Sequence, residues 1–220
     1  MTKSKQTIYA RGTLGDAFMI VLKLIANTDN IARVQHYSKH QHVYSAIQEI
    51  YNLYPQVPVE LLKDPLDQVC VNGYMEDHET WEPYPQFDLP PYAAKTLPEA
   101  YNVVQLSSGI NQAWRRLYLG DVKHIASDLP LAIVGTDDES LDLLGDRNYV
   151  DLRNKTTIAE SFSVIAAASN FYGPQGLLSF FACSQKVLTH IFLRNESDRH
   201  AVSVRVGMVK EWHKHVCIYE

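Results

Sequence analysis

The sequence has only three cysteines among its 220 residues, Cys70, Cys183 and Cys217. They are far apart and odd in number, and none stands in a CxxC pair. That pattern excludes a disulfide framework and a cysteine-based zinc site, and it is typical of a protein in a reducing compartment. We therefore expect a cytoplasmic location and no metal site.

Long apolar runs and an excess of positive charge are also missing. No run approaches the roughly 18 uncharged apolar residues that a membrane-spanning helix requires. Arg11 and Asp16 interrupt the apolar stretch that follows Gln6, so we do not expect a secretory signal. The 20 Lys and Arg residues against 25 Asp and Glu give a formal charge of −5. Because clusters of Lys and Arg bind phosphate backbones, nucleic acid is not the expected main partner.

Strand-like and helix-like segments alternate along the chain. In the first half, the predicted strands are 7–10, 31–35, 57–62 and 68–71, and the predicted helices are 17–26 and 43–54. In the second half, the predicted strands are 103–106, 131–134, 149–152 and 187–192, and the predicted helices are 117–127, 138–144, 158–168 and 177–183. Alternating valines predict a further strand at 202–206, with 215–219 as its partner. This alternation predicts βαβ units, and hence an α/β fold with parallel sheets.

A segment rich in proline and aromatic residues, 73–98, separates the two halves. Its repeated prolines exclude regular helix and central strand, and its aromatic side chains indicate an ordered connection. We predict two small Rossmann-like domains, an N-terminal domain at 1–98 that includes this connection and a C-terminal domain at 99–220. We expect the segment to serve as a lid, a wall of the substrate site or a dimer contact. The sequence does not decide among these three roles, and it does not give the oligomeric state.

The first candidate loop is Gly12-Thr13-Leu14-Gly15-Asp16, between a predicted strand and a predicted helix. Two glycines allow a tight turn and a close approach of the backbone to a ligand. Asp16 falls in the first turn of the helix, where the helix dipole stabilises a carboxylate. The spacing fits two interpretations equally: Asp16 caps the helix, or it acts as a base toward a ligand.

The second candidate loop is Ser107-Ser108-Gly109, which follows a buried strand and precedes Arg115 and Arg116. Small residues after a strand expose backbone N–H groups, and a nearby arginine can hold a phosphate through two hydrogen bonds. The alternative is an ordinary turn with two solvated arginines.

The third candidate loop is Gly173-Pro174-Gln175-Gly176, which we predict to open a helix. The N-terminus of such a helix is suited to a pyrophosphate. The alternative is a plain strand-to-helix turn with proline in the first helical turn.

Histidines and acidic residues form weaker patterns. His36, His40 and His42 lie close together, and we interpret them as solvated loop histidines rather than metal ligands. The run from Asp137 to Glu139 follows a strand, and it either meets a ribose or lies at the N-terminus of a helix. The sequence contains no Walker loop, HExxH motif or serine nucleophile elbow.

The order of these loops resembles the heptosyltransferases, which are GT-B glycosyltransferases of the family 9 type. Gly12 to Asp16 and the helix after it are similar to the opening of that family. Four segments of the second half follow in the family's order: 103–109, 133–139, 151–158 and the pair Gly173-Pro174. The stretch from His36 to Pro98 contributes little to the resemblance.

The resemblance implies two Rossmann-like domains with an interdomain cleft, a nucleotide-sugar donor on the C-terminal half and a saccharide or other hydroxyl acceptor on the N-terminal half. The nucleotide-sugar would be a co-substrate, and no cofactor is expected. The implied reaction is an inverting, metal-independent transfer with Asp16 as the base. The implied acceptor-side loop is Gly12, Thr13, Leu14 and Gly15. The implied donor site contains Ser107, Ser108, Gly109, Arg115, Arg116, Lys155, Gly173, Pro174, Gln175 and Gly176, of which an arginine and the helix after Gly173 would stabilise the departing diphosphate.

The sequence departs from the family beside the Gly-Pro pair. The family has Asp-Ser before that pair and a histidine shortly after it, whereas this chain has Phe171-Tyr172 and Gly176. A non-catalytic module that binds a nucleotide or a sugar on the same scaffold is therefore an alternative to a transferase, and a nucleotide-sugar epimerase is a third interpretation. The sequence does not identify the sugar, the nucleotide or the acceptor.

Overall fold

The computed structural model describes residues 6–65, 84–92, 97–108, 114–208 and 211–220. The chain divides into two compact units, Met1–Asp88 with Met208–Lys210 and Leu89–Gly207 with Glu211–Glu220. Within the described residues of each unit, the named strands pair in parallel in one sheet, which confirms the predicted α/β class. The predicted strand 68–71 lies outside the described residues, and the domain boundary at residue 98 stays a prediction. No helix within the described ranges is both long and apolar enough to cross a membrane.

The first unit alternates strands and helices. Its elements are β1 (Gln6–Arg11), α1 (Leu14–Asn27), β2 (Ile31–Tyr37), α2 (Tyr44–Tyr51) and β3 (Val59–Leu62). The strands pair in the order β1-β2-β3. In α1, every side chain from Ala17 to Leu22 is buried, and each large apolar side chain among them stabilises the fold by about 1.5–3 kcal/mol. Helix α1 therefore supplies much of the core of this unit.

Helix α2 ends three residues before the predicted end at Tyr54. The N–H groups of Leu53 and Tyr54 donate to the carbonyls three residues before them, at 3.1 and 3.0 Å, instead of continuing the α-helical ladder. Pro55 explains the change, because the ring of a proline disfavours the α conformation of the residue before it.

Among its described residues, the second unit has six strands in one sheet. Its elements are β4 (Asn102–Gln105), α3 (Leu119–Val122), β5 (Leu131–Val134), β6 (Tyr149–Asp151), α4 (Ile158–Ala166), β7 (Asn170–Pro174), α5 (Leu177–Ser184), β8 (Leu188–Phe192), α6 (Glu196–Met208) and β9 (Val216–Tyr219). The strand order is β6-β5-β4-β7-β8-β9. Counted within the unit this is 3-2-1-4-5-6, the order of a doubly wound Rossmann sheet. Ligands of such sheets bind where the order reverses, which here is the carboxyl end of β4 and β7.

Two helices predicted in this unit are only turns. The predicted helix 117–127 is the single turn α3, because the N–H of Ala126 donates to the hydroxyl of Tyr172 and the carbonyls of Val122 and Ala126 accept from Arg147. The predicted helix 138–144 is a short 3-10 turn, Leu141–Leu144. In contrast, the predicted capping box of α4 is confirmed, with Thr157 and Glu160 each bonding the other's backbone N–H.

The C-terminal region differs from its prediction. The valines at 202–206 belong to helix α6 and not to a strand, and β9 pairs in parallel with β8 instead. Val202 and Val206 are both buried, four positions apart on one helix face. The side chain of Asn195 caps the helix by accepting from the N–H of Asp198 at 2.8 Å. Strand β7 was not predicted at all.

Candidate functional site

Asp16 lies at the beginning of α1, directly after the carboxyl end of β1. The N–H of Thr13 donates to Asp16 Oδ2 at 2.9 Å, so the carboxylate caps the helix as one of the two interpretations predicted. Gly12 has a φ of +144°, and a Cβ atom there would lie 2.1 Å from Asp16 Oδ2. Since α1 starts at Leu14, Leu14 and Gly15 are its first residues and only Gly12 and Thr13 form the turn. The structure thus places Gly12 and Thr13 of the predicted loop directly against the Asp16 carboxylate.

His36 is part of this site, and its interpretation as a solvated loop histidine is wrong. It is fully buried in β2; its Nδ1 lies 2.7 Å from the hydroxyl of Tyr51 and its Nε2 lies 3.3 Å from the carbonyl oxygen of Gly12. Burial lowers the pKa of His36, against the opposing effects of the Gly12 carbonyl and the Asp16 charge. The same burial and the same charge raise the pKa of Tyr51. A sequence signal existed, because the buried positions Val34 and His36 alternate along one face of β2.

The other histidines of this cluster are not organised for a metal. The rings of His40 and His42 lie edge to face, with their centroids 5.8 Å apart, and His42 is exposed. Across the described ranges, no three His, Cys, Asp or Glu side chains form a group suited to a metal ion.

In the second unit, the loop after β4 meets the loop after β7. The Ser108 hydroxyl donates to the carbonyl of Gln175 at 2.6 Å, and a Cβ atom on Gly176 would lie 3.1 Å from Ser108 Oγ. Ser107 forms an isolated bridge with Arg116. The predicted donor residues of the two loops therefore lie together where the strand order reverses, whereas Gly109 lies outside the described residues.

Gly173 and Pro174 end strand β7, so the alternative that places the proline in the first helical turn is wrong. A Cβ atom on Gly173 would lie 3.2 Å from the carbonyl oxygen of Gln105, so glycine permits the close approach of β7 to β4. Helix α5 begins at Leu177, as predicted, and Ser179 Oγ accepts from the N–H of Gly176 at 3.0 Å. The predicted loop thus leads into the N-terminus of α5, the helix start that was predicted to suit a pyrophosphate.

The two predicted arginines have different surroundings. Arg115 is mostly buried, and its guanidinium holds the buried Asp198 at 2.8 Å, with the side chain of Gln175 against the pair. It is not one of two solvated arginines. The Arg116 side chain is 44% exposed, lies 3.7 Å from Glu139 and stacks on the ring of Tyr118. Arg116 is therefore the better placed of the two for a phosphate.

Sequence reasoning missed Arg194, which follows β8. Its guanidinium also lies over the Tyr118 ring, 4.6 Å from the centroid, and it pairs with Asp121. Its Nε donates to the carbonyl of Arg116 at 3.0 Å. No local motif marks this residue, because its partners come from a segment more than 70 positions earlier in the chain.

Acidic side chains lie at the ends of β5 and β6. Arg153 donates to Asp137 Oδ1 and to Asp151 Oδ1, each at 3.0 Å, and this pairing lowers the pKa of Asp151. The Nζ of Lys155 donates to the carbonyl of Asp151 at 2.8 Å, so this predicted donor residue lies beside the end of β6. A Cβ atom on Gly135, whose φ is +123°, would lie 3.1 Å from Asp137 Oδ2.

Two buried oxygens at these strand ends have unused hydrogen-bonding capacity. Asp137 Oδ2 and Gln105 Oε1 have no hydrogen-bond partner within the part of the chain that the structure describes. Buried polar atoms are nearly always satisfied in folded proteins. This edge of the sheet is thus suited to a ligand that donates N–H or O–H groups, beside the half-exposed cation of Arg116.

Comparisons with known proteins identify similar folds among solved structures. No protein-family model and no curated protein matches the sequence. Among solved structures, a glycosyl transferase of family 9 from Veillonella parvula matches over 87% of this chain and 82% of its own, with 9% identity and a TM-score of 0.59. The iron-containing dodecameric glycosyltransferase TibC from enterotoxigenic E. coli H10407 matches over 86% of this chain, with 14% identity and a TM-score of 0.54.

TibC has also been solved as a heptosyltransferase in complex with ADP-D-β-D-heptose, and that structure matches with 14% identity and a TM-score of 0.53. This chain spans 58% of the length of TibC. At these identities the matches describe the fold, and they confirm the predicted α/β class with parallel, Rossmann-like sheets. The chain has the Rossmann-like α/β fold of the family 9 glycosyltransferases and heptosyltransferases.

Proposed function

We propose that this chain is a glycosyltransferase that moves a sugar from a nucleotide-sugar to a hydroxyl group of a saccharide or related acceptor, with Asp16 as the general base. The observation that carries the proposal is the position of Asp16: it lies in the first turn of α1, after the first strand of a fold shared with glycosyltransferases. The TibC complex with ADP-D-β-D-heptose supports a nucleotide-sugar as the donor class.

In the proposed reaction, the Asp16 carboxylate accepts the proton of the acceptor hydroxyl. The acceptor oxygen forms a bond to the anomeric carbon while the bond from that carbon to the diphosphate oxygen breaks, and its electron pair leaves with the diphosphate. Attack from the side opposite the leaving group inverts the anomeric configuration. Asp16 then releases its proton to solvent. The Thr13 N–H supports this role because it orients the carboxylate.

The sugar donor would bind to the second unit at the carboxyl ends of β4, β5 and β7. The unpartnered oxygens of Gln105 and Asp137 would accept from hydroxyl or amino groups of the nucleotide. Arg116 would stabilise the negative charge on the departing diphosphate. The N–H of Ser108 already donates to the carbonyl of Arg115, at 2.8 Å. We propose a metal-independent transfer, in which these protein groups carry out the stabilisation.

The alternative of a module that binds without transfer is not favoured. That alternative rests on Phe171, Tyr172 and Gly176, which stand where the resembled family has other residues. Phe171 and Tyr172 are both buried within β7, and the Tyr172 hydroxyl accepts from the N–H of Ala126, so these side chains belong to the core. Gly176 packs against Ser108. The departures from the family are thus accommodated by packing.

The test is transfer by Asp16→Asn, which keeps the shape of the side chain and removes the base. We expect kcat to fall by 100-fold or more, within the range of general base catalysis, with sugar-nucleotide affinity unchanged. The matched control is Glu160→Gln, which neutralises the acid at the same capping position of α4. Full transfer activity in Asp16→Asn, or equal losses in both variants, would contradict the mechanism.

A further inference from the structure

A buried tyrosine–histidine pair adjoins the loop that carries Asp16. His36 comes from β2 and Tyr51 from the end of α2, and both side chains are at most 1% exposed. The Tyr51 hydroxyl lies 2.7 Å from His36 Nδ1, and His36 Nε2 lies 3.3 Å from the carbonyl oxygen of Gly12. The pair therefore links α2 and β2 to the turn after β1.

The chemistry of the partners fixes the direction of both hydrogen bonds. A carbonyl oxygen can only accept, so Nε2 of His36 carries the hydrogen. Burial lowers the pKa of His36 and raises that of Tyr51, so both are neutral at neutral pH. In the neutral imidazole, Nδ1 then accepts from the Tyr51 hydroxyl. Tyr51 therefore donates to His36, and His36 donates to Gly12.

The carbonyl of Gly12 and the N–H of Thr13 belong to the same planar peptide group. The N–H end of that plane donates to Asp16 Oδ2 at 2.9 Å, and the carbonyl end accepts from His36. Any rotation that moves the carbonyl away from His36 also turns the N–H away from Asp16. On its other side, the N–H of Gly12 is held by the carbonyl of Tyr37 at 3.1 Å.

We propose that His36 and Tyr51 are positioning residues, which orient the Gly12–Thr13 peptide plane and through it the carboxylate of Asp16. The inference rests on the proposed role of Asp16 as the base. Catalytic groups are sensitive to placement, and a displacement of about 1 Å can reduce a rate by about 100-fold. The two side chains would thus affect the chemical step without contacting the substrate.

The test compares Tyr51→Phe with Tyr219→Phe. Tyr219 is a matched control in the second unit, because its hydroxyl lies 2.9 Å from Nδ1 of His190, another histidine of a strand. We expect Tyr51→Phe to lower kcat by ten- to 100-fold with an unchanged KM for the sugar donor, and to speed hydrogen exchange of the Thr13 amide. Tyr219→Phe should leave kcat and the hydrogen exchange of the Thr13 amide unchanged.

A second pair of variants separates positioning from packing. His36→Gln keeps an N–H that can reach the Gly12 carbonyl, whereas His36→Leu does not, so the glutamine should retain at least several times more activity. Equal activities of the two, or a Tyr51→Phe protein with normal kcat and normal Thr13 exchange, would overturn the proposal. If the wild-type chain transfers no sugar, the proposed function fails, and hydrogen exchange alone then tests the inference. Normal exchange of the Thr13 amide in Tyr51→Phe would overturn it. Faster exchange would support the proposal that the pair orients the peptide plane.

Discussion

Replacement of Gly12 by alanine tests the geometry of the Asp16 loop most severely. The new Cβ would lie 2.1 Å from Asp16 Oδ2 and 2.7 Å from Asp16 Cβ, both below the 3.0 Å that Cβ contacts in proteins respect. The carboxylate must then leave the N–H of Thr13, which costs about 1 kcal/mol for a helix-capping bond. A φ of +144° in a non-glycine residue adds about 1–3 kcal/mol. Gly12→Ala should therefore lower the free energy of unfolding by about 2–4 kcal/mol.

Urea unfolding followed by circular dichroism measures this difference. Gly120→Ala is the control, because a Cβ there meets no atom within 4 Å and the residue lies in helix α3. Alanine in a helix is favoured over glycine by about 0.5–1 kcal/mol, so this variant should be as stable as the wild type or more so. A Gly12→Ala protein within 0.5 kcal/mol of the wild type would refute the described contact between the turn and the carboxylate.

Two further predictions concern stability. Burial lowers the pKa of both His36 and His190, so the unfolded state binds more protons than the folded state. The free energy of unfolding should therefore fall as the pH drops below about 6.5. Urea unfolding at pH 7.5 and 5.5 measures this change, and a protein with both His36→Gln and His190→Gln should lose part of the pH dependence. Asp198→Asn leaves the Arg115 charge buried without its ionic partner and should cost about 3–5 kcal/mol. The control is the exposed ion pair of Lys214 with Glu211, where Glu211→Gln should change the free energy of unfolding by less than about 1 kcal/mol. Equal effects of Asp198→Asn and Glu211→Gln would contradict the buried ion pair.

The sequence predicted those elements whose local signals agree with their burial. Strand β5 has the bounds predicted for it, because four consecutive apolar residues stand between turn residues. The start of α4 followed from Thr157 and Glu160, whose capping box depends only on residues three apart. For the same reason the loop from Gly12 to Asp16 could be identified as a candidate site without knowing the fold.

The failures lie where the deciding partner is distant in sequence. The valines at 202–206 fit both a strand and a helix, and the helix is selected by burial of Val202 and Val206 together with the cap at Asn195. Arg115 pairs with Asp198, which lies 83 positions later in the chain, so no local pattern indicates that the Arg115 side chain is mostly buried. His36 was misjudged because a polar side chain on a buried strand face is explained only by its partners, Tyr51 and Gly12.

The proposed use of a nucleotide-sugar is tested most directly by thermal unfolding of the protein in the presence of ADP-, UDP-, GDP-, CMP- or dTDP-sugars. A ligand at about 100 times its dissociation constant should stabilise the folded state by roughly 2.7 kcal/mol, which a thermal scan detects. We predict that one nucleotide class stabilises the wild type and Asp16→Asn alike, and that only the wild type releases nucleoside diphosphate when an acceptor is added. Stabilisation by none of these ligands would contradict the account.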